Sequence, residues 1–160
     1  MDTRLTVLSA FLRALGQPLD IATKDDRLRT QKAVYLGQLT GVDLGYRYNW
    51  YVHGPYSPSL TQDYYALDAL SGESRAQANQ TFLNAATIQK LAGALPLFQI
   101  PAGVNLQLHN WLELLCSWHY LRKIVGYAPD KARATLTAQK PHVAQYVDQA
   151  DAVLAHEHFL

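Results

Sequence analysis

Between Leu44 and Ser59 the chain reads LGYRYNWYVHGPYSPS, sixteen residues that hold five Tyr or Trp, two Pro, two Gly and one His. A solvated linker does not carry aromatic rings at that density, because each ring gains by leaving water and each phenol or indole tip then needs a polar partner. The segment reads as a structural hub first and a binding surface second. Strand alternation puts Tyr46, Tyr48, Trp50 and Val52 on one side and Arg47, Asn49, Tyr51 and His53 on the other. Gly54–Pro55 reads as the tight turn that closes this strand. Ser57–Pro58 then starts a helix, with Ser57 as cap and Pro58 at the first helical position, where its missing N–H costs nothing.

The helical runs fall on both sides of that hub. Leu5, Leu8, Leu12 and Leu15 recur at helical spacing over Asp2–Leu15, and Gly16 with Pro18 stops the run. Thr23–Asp26 offers capping oxygens before Arg27–Thr40, which Gly41 ends. Leu60, Tyr64 and Leu67 make the buried stripe of Ser59–Leu70, with Gln62, Asp63 and Asp68 outside it. Glu73–Gln80 has no apolar residue larger than Ala and reads as a loop or frayed helix end, the chain's mobile segment. Asn84 caps Ala85–Leu95. Leu106–Val125, apolar nearly all round, is the expected central buried helix. Asp130–Gln139 and Val143–His158 follow, separated by Lys140–Pro141, where the proline forbids one continuous helix.

A chain of 160 residues is expected to form one helical domain over its whole length, with one sizeable core. Charged residues are 17% of the chain, below the roughly 25% of an average domain, which suggests a partly apolar surface and a partner. A net charge of +1 gives no field that steers nucleic acid or acidic substrates from a distance. No apolar run reaches the roughly 18 residues that span a bilayer, and MDTRLTVLSAFLRALG is amphipathic rather than a leader, so a cytoplasmic protein without a membrane partner is expected. The lone Cys116 excludes an intrachain disulfide and a multi-cysteine zinc site, and its neighbours Leu114, Leu115 and Trp118 mark it as a small core residue.

Four separated blocks carry a family resemblance. They are Gln31, Lys32, Val34, Tyr35 and Leu36; Tyr46, Tyr48, Tyr51, His53–Ser57 and Leu60; Trp111, Leu114, Leu115, Ser117, His119, Tyr120 and Leu121; and Lys140–Pro141. In order and spacing they resemble the uncharacterised YwgA-type bacterial and archaeal proteins, over about Arg27 to Leu154. More distantly, the Gln-Lys helix and the Gly-Pro element resemble the Panacea domain of SocA-like antitoxins. That resemblance implies a protein that acts through contact with protein partners, in toxin–antitoxin or phage-defence settings.

The chemistry of single residues is weighed against plainer roles. His53 as a general base needs an acidic orienter and a nucleophile or water site, and Asp63 is the carboxylate across the Gly54–Pro55 turn. His109 and Glu113 share a helix face, but His119 turns away by roughly 240°, so no metal site is expected. His142, His156 and His158 read as solvated. No glycine pattern forms a phosphate loop or dinucleotide fingerprint, so no cofactor is expected. Arg27, Arg29 and Lys32, joined in space by Arg47, are the cations with which a winged helix would meet phosphate.

The fold expected is mainly α, six or seven helices around Leu106–Val125, with one short strand or hairpin at Tyr46–His53, winged-helix-like in one variant. The function expected is a non-catalytic, cytoplasmic, regulatory or antitoxin-like interaction module that presents Tyr51, His53, Tyr56 and Tyr64 to a protein partner. The runner-up is a winged-helix nucleic-acid binder using Arg27, Arg29, Lys32 and Arg47. The third is a small hydrolase using His53 with Asp63.

Overall fold

A computed structural model describes residues 2–160. The chain is mainly helical, with one two-stranded antiparallel hairpin. The helices are α1 (Thr3–Ala14), α2 (Lys24–Gln38), α3 (Pro58–Asp68), α4 (Gly72–Gln80), α5 (Ala85–Leu91), α6 (Leu108–His119), α7 (Pro129–Gln139), α8 (Pro141–Ala144) and α9 (Val147–His156). The hairpin is β1 (Asn49–Tyr51) with β2 (Gly54–Tyr56). A 3₁₀ turn, Ala92–Phe98, continues α5, and a π turn, Tyr120–Ile124, continues α6.

Helix α6 is the buried axis. Trp111, Leu112, Leu114, Leu115, Cys116 and Trp118 are all buried on it, and α2, α9 and β2 pack against it. The two indoles bury because each N–H finds an acceptor: Trp111 donates to the Leu97 carbonyl at 3.0 Å and Trp118 to Asp151 Oδ1 at 2.9 Å. Helix α2 begins at Lys24, three residues before the expected Arg27. Thr23 and Asp26 form a reciprocal capping box there, so the polar first turn is helical although it shows no apolar period. At the α1–α2 crossing a Cβ on Gly37 would lie 2.4 Å from Phe11 Cζ; the missing side chain is what lets the two helices touch.

Two segments add helices to those expected. Gly72–Gln80 is a helix, α4, not a loop. Its buried Ala78 is small enough to lie against α1, and Arg13 of α1 donates to the Ala78 carbonyl at 3.0 Å and to the Thr81 carbonyl. Periodicity of large side chains misses a helix anchored by an alanine and by backbone carbonyls. The break at Lys140–Pro141 is real, but the chain after it forms the short α8 before α9.

The hub segment folds as a hairpin whose turn lies two residues earlier than expected. Val52 and His53 form the tip, while Gly54 and Pro55 pair with Tyr51 and Trp50 in β2. Alternation along an antiparallel ladder makes Trp50–Pro55 the pair that exchanges no N–H bond, so the imino residue fits inside the strand. Gly54 has φ +86°, a conformation open to glycine, and it is this residue that lets the two-residue tip close. Alternation holds through Trp50 and fails at Val52, which is 82% exposed at the tip. Strand β2 packs on α6 and α2, so the hairpin lies on the helices rather than standing off as a wing.

Candidate functional site

Helix α2 grips both flanks of the hairpin through two glutamines seven residues apart. Gln38 Oε1 accepts the Leu44 and Tyr46 N–H groups at 3.0 and 3.2 Å, and its amide donates to the Tyr46 carbonyl at 3.1 Å. Gln31 repeats the pattern at the far end: its Oε1 accepts the Ser57 N–H at 2.9 Å and its amide donates to the Ser57 carbonyl at 3.0 Å. Each side-chain amide thus replaces a strand neighbour for an otherwise unpaired backbone. Tyr48 closes the set by donating to the Gln31 carbonyl at 3.1 Å.

Beneath the hairpin lie charged groups that sequence reading placed elsewhere or passed over. Lys32, with no exposed surface, donates to the Pro55 carbonyl at 2.6 Å. Lys140, 1% exposed, donates to the Val52 carbonyl, and its ammonium stands 5.0 Å over the Trp50 ring. Glu113, 4% exposed on α6, is the counter-charge: its Oε2 lies 3.7 Å from Lys140 Nζ and 3.8 Å from His53 Nδ1, and its Oε1 accepts from His142 Nε2 at 2.7 Å. Ser117 Oγ, one turn along α6, sits buried under Gly54 and finds no hydrogen-bond partner among the protein groups. Burial brings the Lys32 ammonium down to about 8 and lowers Lys140 as well, with Glu113 working against both shifts.

On the outer side of the same hairpin, α2 and α3 bound a cleft of about 350 Å³. Tyr51, His53, Tyr56 and Tyr64, the four residues expected to form an interaction surface, all line it, beside Tyr65, Leu28, Lys24 and Arg27. Tyr51 packs edge-on against Tyr56 at 5.3 Å, and Tyr64 packs at a tilt of 51° against Tyr65 at 5.1 Å. Tyr56 OH and Thr61 Oγ1 share a hydrogen bond, and Thr61 also accepts from Gln31. Burial lowers the His53 imidazole below its ordinary range, with Glu113 pulling it up and Lys24, Lys140 and Lys32 pushing it down.

The pairing of His53 with Asp63 is overturned. Asp63 falls on the buried face of α3, where it accepts from Tyr46 OH at 2.7 Å and forms an ion pair with Arg4 at 3.3 Å. It shares the i, i+3, i+4, i+7 stripe with Leu60, Tyr64 and Leu67, and a buried phenol makes its place there tolerable. The carboxylate beside His53 is Glu113. His142 is solvated as expected, 48% of its side chain being exposed, and its ring also contacts that same carboxylate.

The four cations of the nucleic-acid reading do not form a row. Lys32 is enclosed under the hairpin and presents nothing to a phosphate. Arg29 pairs with Asp26 at 3.4 Å, and Arg47 with Asp43 at 3.2 Å. Arg27 lines the cleft and donates to the Ile21 carbonyl at 3.1 Å. His109, Glu113 and His119 also part company: His109 faces Asp25 at 3.4 Å and His119 Nδ1 lies 2.7 Å from Tyr35 OH. Among the described residues no three or more His, Cys, Asp or Glu side chains converge as a metal site, and no helix is long and apolar enough to cross a membrane.

In comparisons with known proteins, the chain matches no family model, no curated protein and no solved structure.

Proposed function

We propose that the chain is a non-catalytic, cytoplasmic protein-interaction module that seats part of a partner protein in the cleft between the hairpin, α2 and α3. The observation that carries this reading is the convergence of Tyr51, His53, Tyr56 and Tyr64 on one cleft, whose hairpin wall is pinned from behind by Gln31, Lys32 and Lys140. Tyrosine on a rigid frame suits a docking surface, since it adds contact area at small entropic cost and ends in a polar tip. The regulatory or antitoxin-like character follows from the Panacea resemblance. A hydrolytic reading finds less support: at 3.8 Å His53 is outside hydrogen-bond range of Glu113, and the cleft hydroxyl Thr61 is held by Tyr56 and Gln31.

The test is site-specific photo-crosslinking in the native host, with a photoreactive residue at Tyr51 or Tyr56 and, as control, at Ile124 on another face. The expected result is one protein adduct from the cleft positions and none from the control. With that partner purified, Tyr51→Ala or Tyr56→Ala, changes at the more accessible rings, weakens the complex by about tenfold or more. Adducts from Ile124 alone, or affinity indifferent to Tyr51→Ala and Tyr56→Ala, overturn the reading.

A further inference from the structure

The two cations that line the cleft, Lys24 and Arg27, differ from three arginines elsewhere on the chain. Arg4, Arg29 and Arg47 each stand beside a carboxylate of the chain. Among the described residues Lys24 and Arg27 are in no ion pair within 4 Å, although Arg27 is close enough to Asp26 to help lower its carboxyl, and no Asp or Glu lines the cleft with them. The carboxylates of the first turn of α2 are turned to other work: Asp25 faces His109, and Asp26 is held by Thr23 and Arg29. The cleft is therefore locally positive on a chain whose net charge is only +1.

Its shape selects among anionic partners. About 350 Å³ is at the lower end of the roughly 300–1,000 Å³ of ligand pockets, room for one or two side chains and too little for a helix or a duplex. Leu28, Val52 and the tyrosine rings make the walls apolar, and Val52 at the hairpin tip is solvated apolar surface that a partner would cover. A nucleic-acid strand asks for open ring faces and a run of cations along its backbone. Here the rings lean on each other, and Arg29, next to Leu28 on α2, is already paired with Asp26.

We infer that the cleft receives an acidic segment of the partner protein, with one apolar or aromatic side chain between Leu28 and the tyrosines and a flanking carboxylate against Lys24 and Arg27. This rests on the docking reading above and specifies the chemistry of what docks. Opposite charge at the rim speeds encounter and selects the partner, while the buried side chain supplies most of the affinity.

The experiment is selection from a displayed library of random short peptides on the full chain, run in parallel on Tyr56→Ala/Tyr64→Ala and on Lys24→Glu/Arg27→Glu. Circular dichroism first confirms that each variant keeps its helices. The expected enrichment on the native chain is for peptides with Asp or Glu beside Trp, Phe or Leu. Those peptides lose about tenfold or more in affinity on Lys24→Glu/Arg27→Glu, and their binding weakens with salt. Enrichment of neutral or basic peptides that still depend on Tyr56 and Tyr64 overturns the acidic specificity and leaves the docking reading standing. Enrichment no stronger on the native chain than on Tyr56→Ala/Tyr64→Ala overturns both. A labelled random oligonucleotide that outcompetes the selected peptides at the same residues overturns the choice of a protein segment.

Discussion

Lys140 Nζ lies 3.7 Å from Glu113 Oε2 while donating its proton to the carbonyl of Val52. The ammonium thereby ties the tip of the hairpin to the central helix, and Lys32 ties the next strand, at Pro55, to α2. Two buried cations against one carboxylate is a costly arrangement for a core, since each must shed its hydration shell. What it supplies is direction: an apolar contact lets a short hairpin slide, whereas an ammonium bonded to a named carbonyl fixes its register. The cleft-lining residues Tyr51, His53 and Tyr56 belong to that hairpin or its tip, so the geometry of the surface depends on charges that never reach it.

Glu113→Gln tests this dependence. The amide keeps the shape and removes the charge that faces Lys140, His53 and His142, which leaves buried ammonium groups uncompensated. The expected loss is about 3–5 kcal/mol of unfolding free energy, read by urea denaturation, with faster amide exchange in β1 and β2 than in α9. Adding Lys140→Met recovers about 1–3 kcal/mol by removing the orphaned cation. A Glu113→Gln chain as stable as the native one would show that the ionic contacts of Glu113 add nothing net to the stability of the fold.

Lys32 leads to a second outcome, in alkaline solution. Burial penalises its protonated form and brings the folded-state value from 10.5 down to about 8. Between those two pH values the unfolded chain holds the proton and the folded chain has released it, so this residue's contribution to stability rises with pH across that window. The size is about 3 kcal/mol at 1.36 kcal/mol per unit. Buried Tyr35, Tyr46 and Tyr48, whose hydroxyls are pushed up, act in the opposite sense but are common to both chains in a comparison with Lys32→Met. The measurement is the native-minus-variant difference in unfolding free energy from pH 8 to 10.5; a flat difference refutes the burial of a titrating ammonium.

Much of the helical frame can be read from apolar spacing: α1, α3 and α6 follow their leucines and aromatic residues, and Thr23, Ser57 and Asn84 cap where their side chains suggest. The charged interior cannot be read that way. Lys32, Glu113 and Lys140 look like surface residues in any hydropathy pattern, and their burial depends on carbonyls of Pro55 and Val52 and on each other, partners more than 20 positions away in sequence. One signal was present: Gln31–Lys32, Gly54–Pro55, Ser117 and Lys140 belong to the four blocks set out above, and these blocks meet around one hairpin. Periodicity records only which face avoids water and says nothing of partners distant in sequence. Asp63 misled for the same reason, because its partner Tyr46 lies on another element.

On the acid side the expected sensor is His119. It is buried beside Tyr35, whose hydroxyl lies 2.7 Å from Nδ1; burial first, and then Lys123, lowers its value from 6.5 to about 4. The tyrosine keeps its own proton and so donates to a neutral ring. As pH falls from 6.5 toward 4 the unfolded histidine takes up a proton that the folded one refuses, and about 3 kcal/mol of stability is lost. His119→Gln removes that slope: plotted against pH, the native-minus-variant difference declines toward pH 4. An unchanged acid limb in the variant would place the titration on another group.

Gly54 and Ser117 should behave as a coupled pair. A Cβ on Gly54 would stand 2.5 Å from Ser117 Oγ, and the backbone there has φ +86°. Gly54→Ala therefore meets two penalties, a clash inside a packed core and a left-handed backbone on an L-residue, for a combined loss of about 2–4 kcal/mol. Ser117→Ala alone is neutral or slightly stabilising, because it deletes a buried hydroxyl without a partner. Shrinking the site further with Ser117→Gly relieves the clash but not the backbone strain, so Gly54→Ala costs about 1–2 kcal/mol in that background. A double-mutant cycle read by urea unfolding isolates the difference. If the two changes were additive, β2 would not lie against α6 at this point, and the seating of the hairpin on the central helix would have to be redrawn.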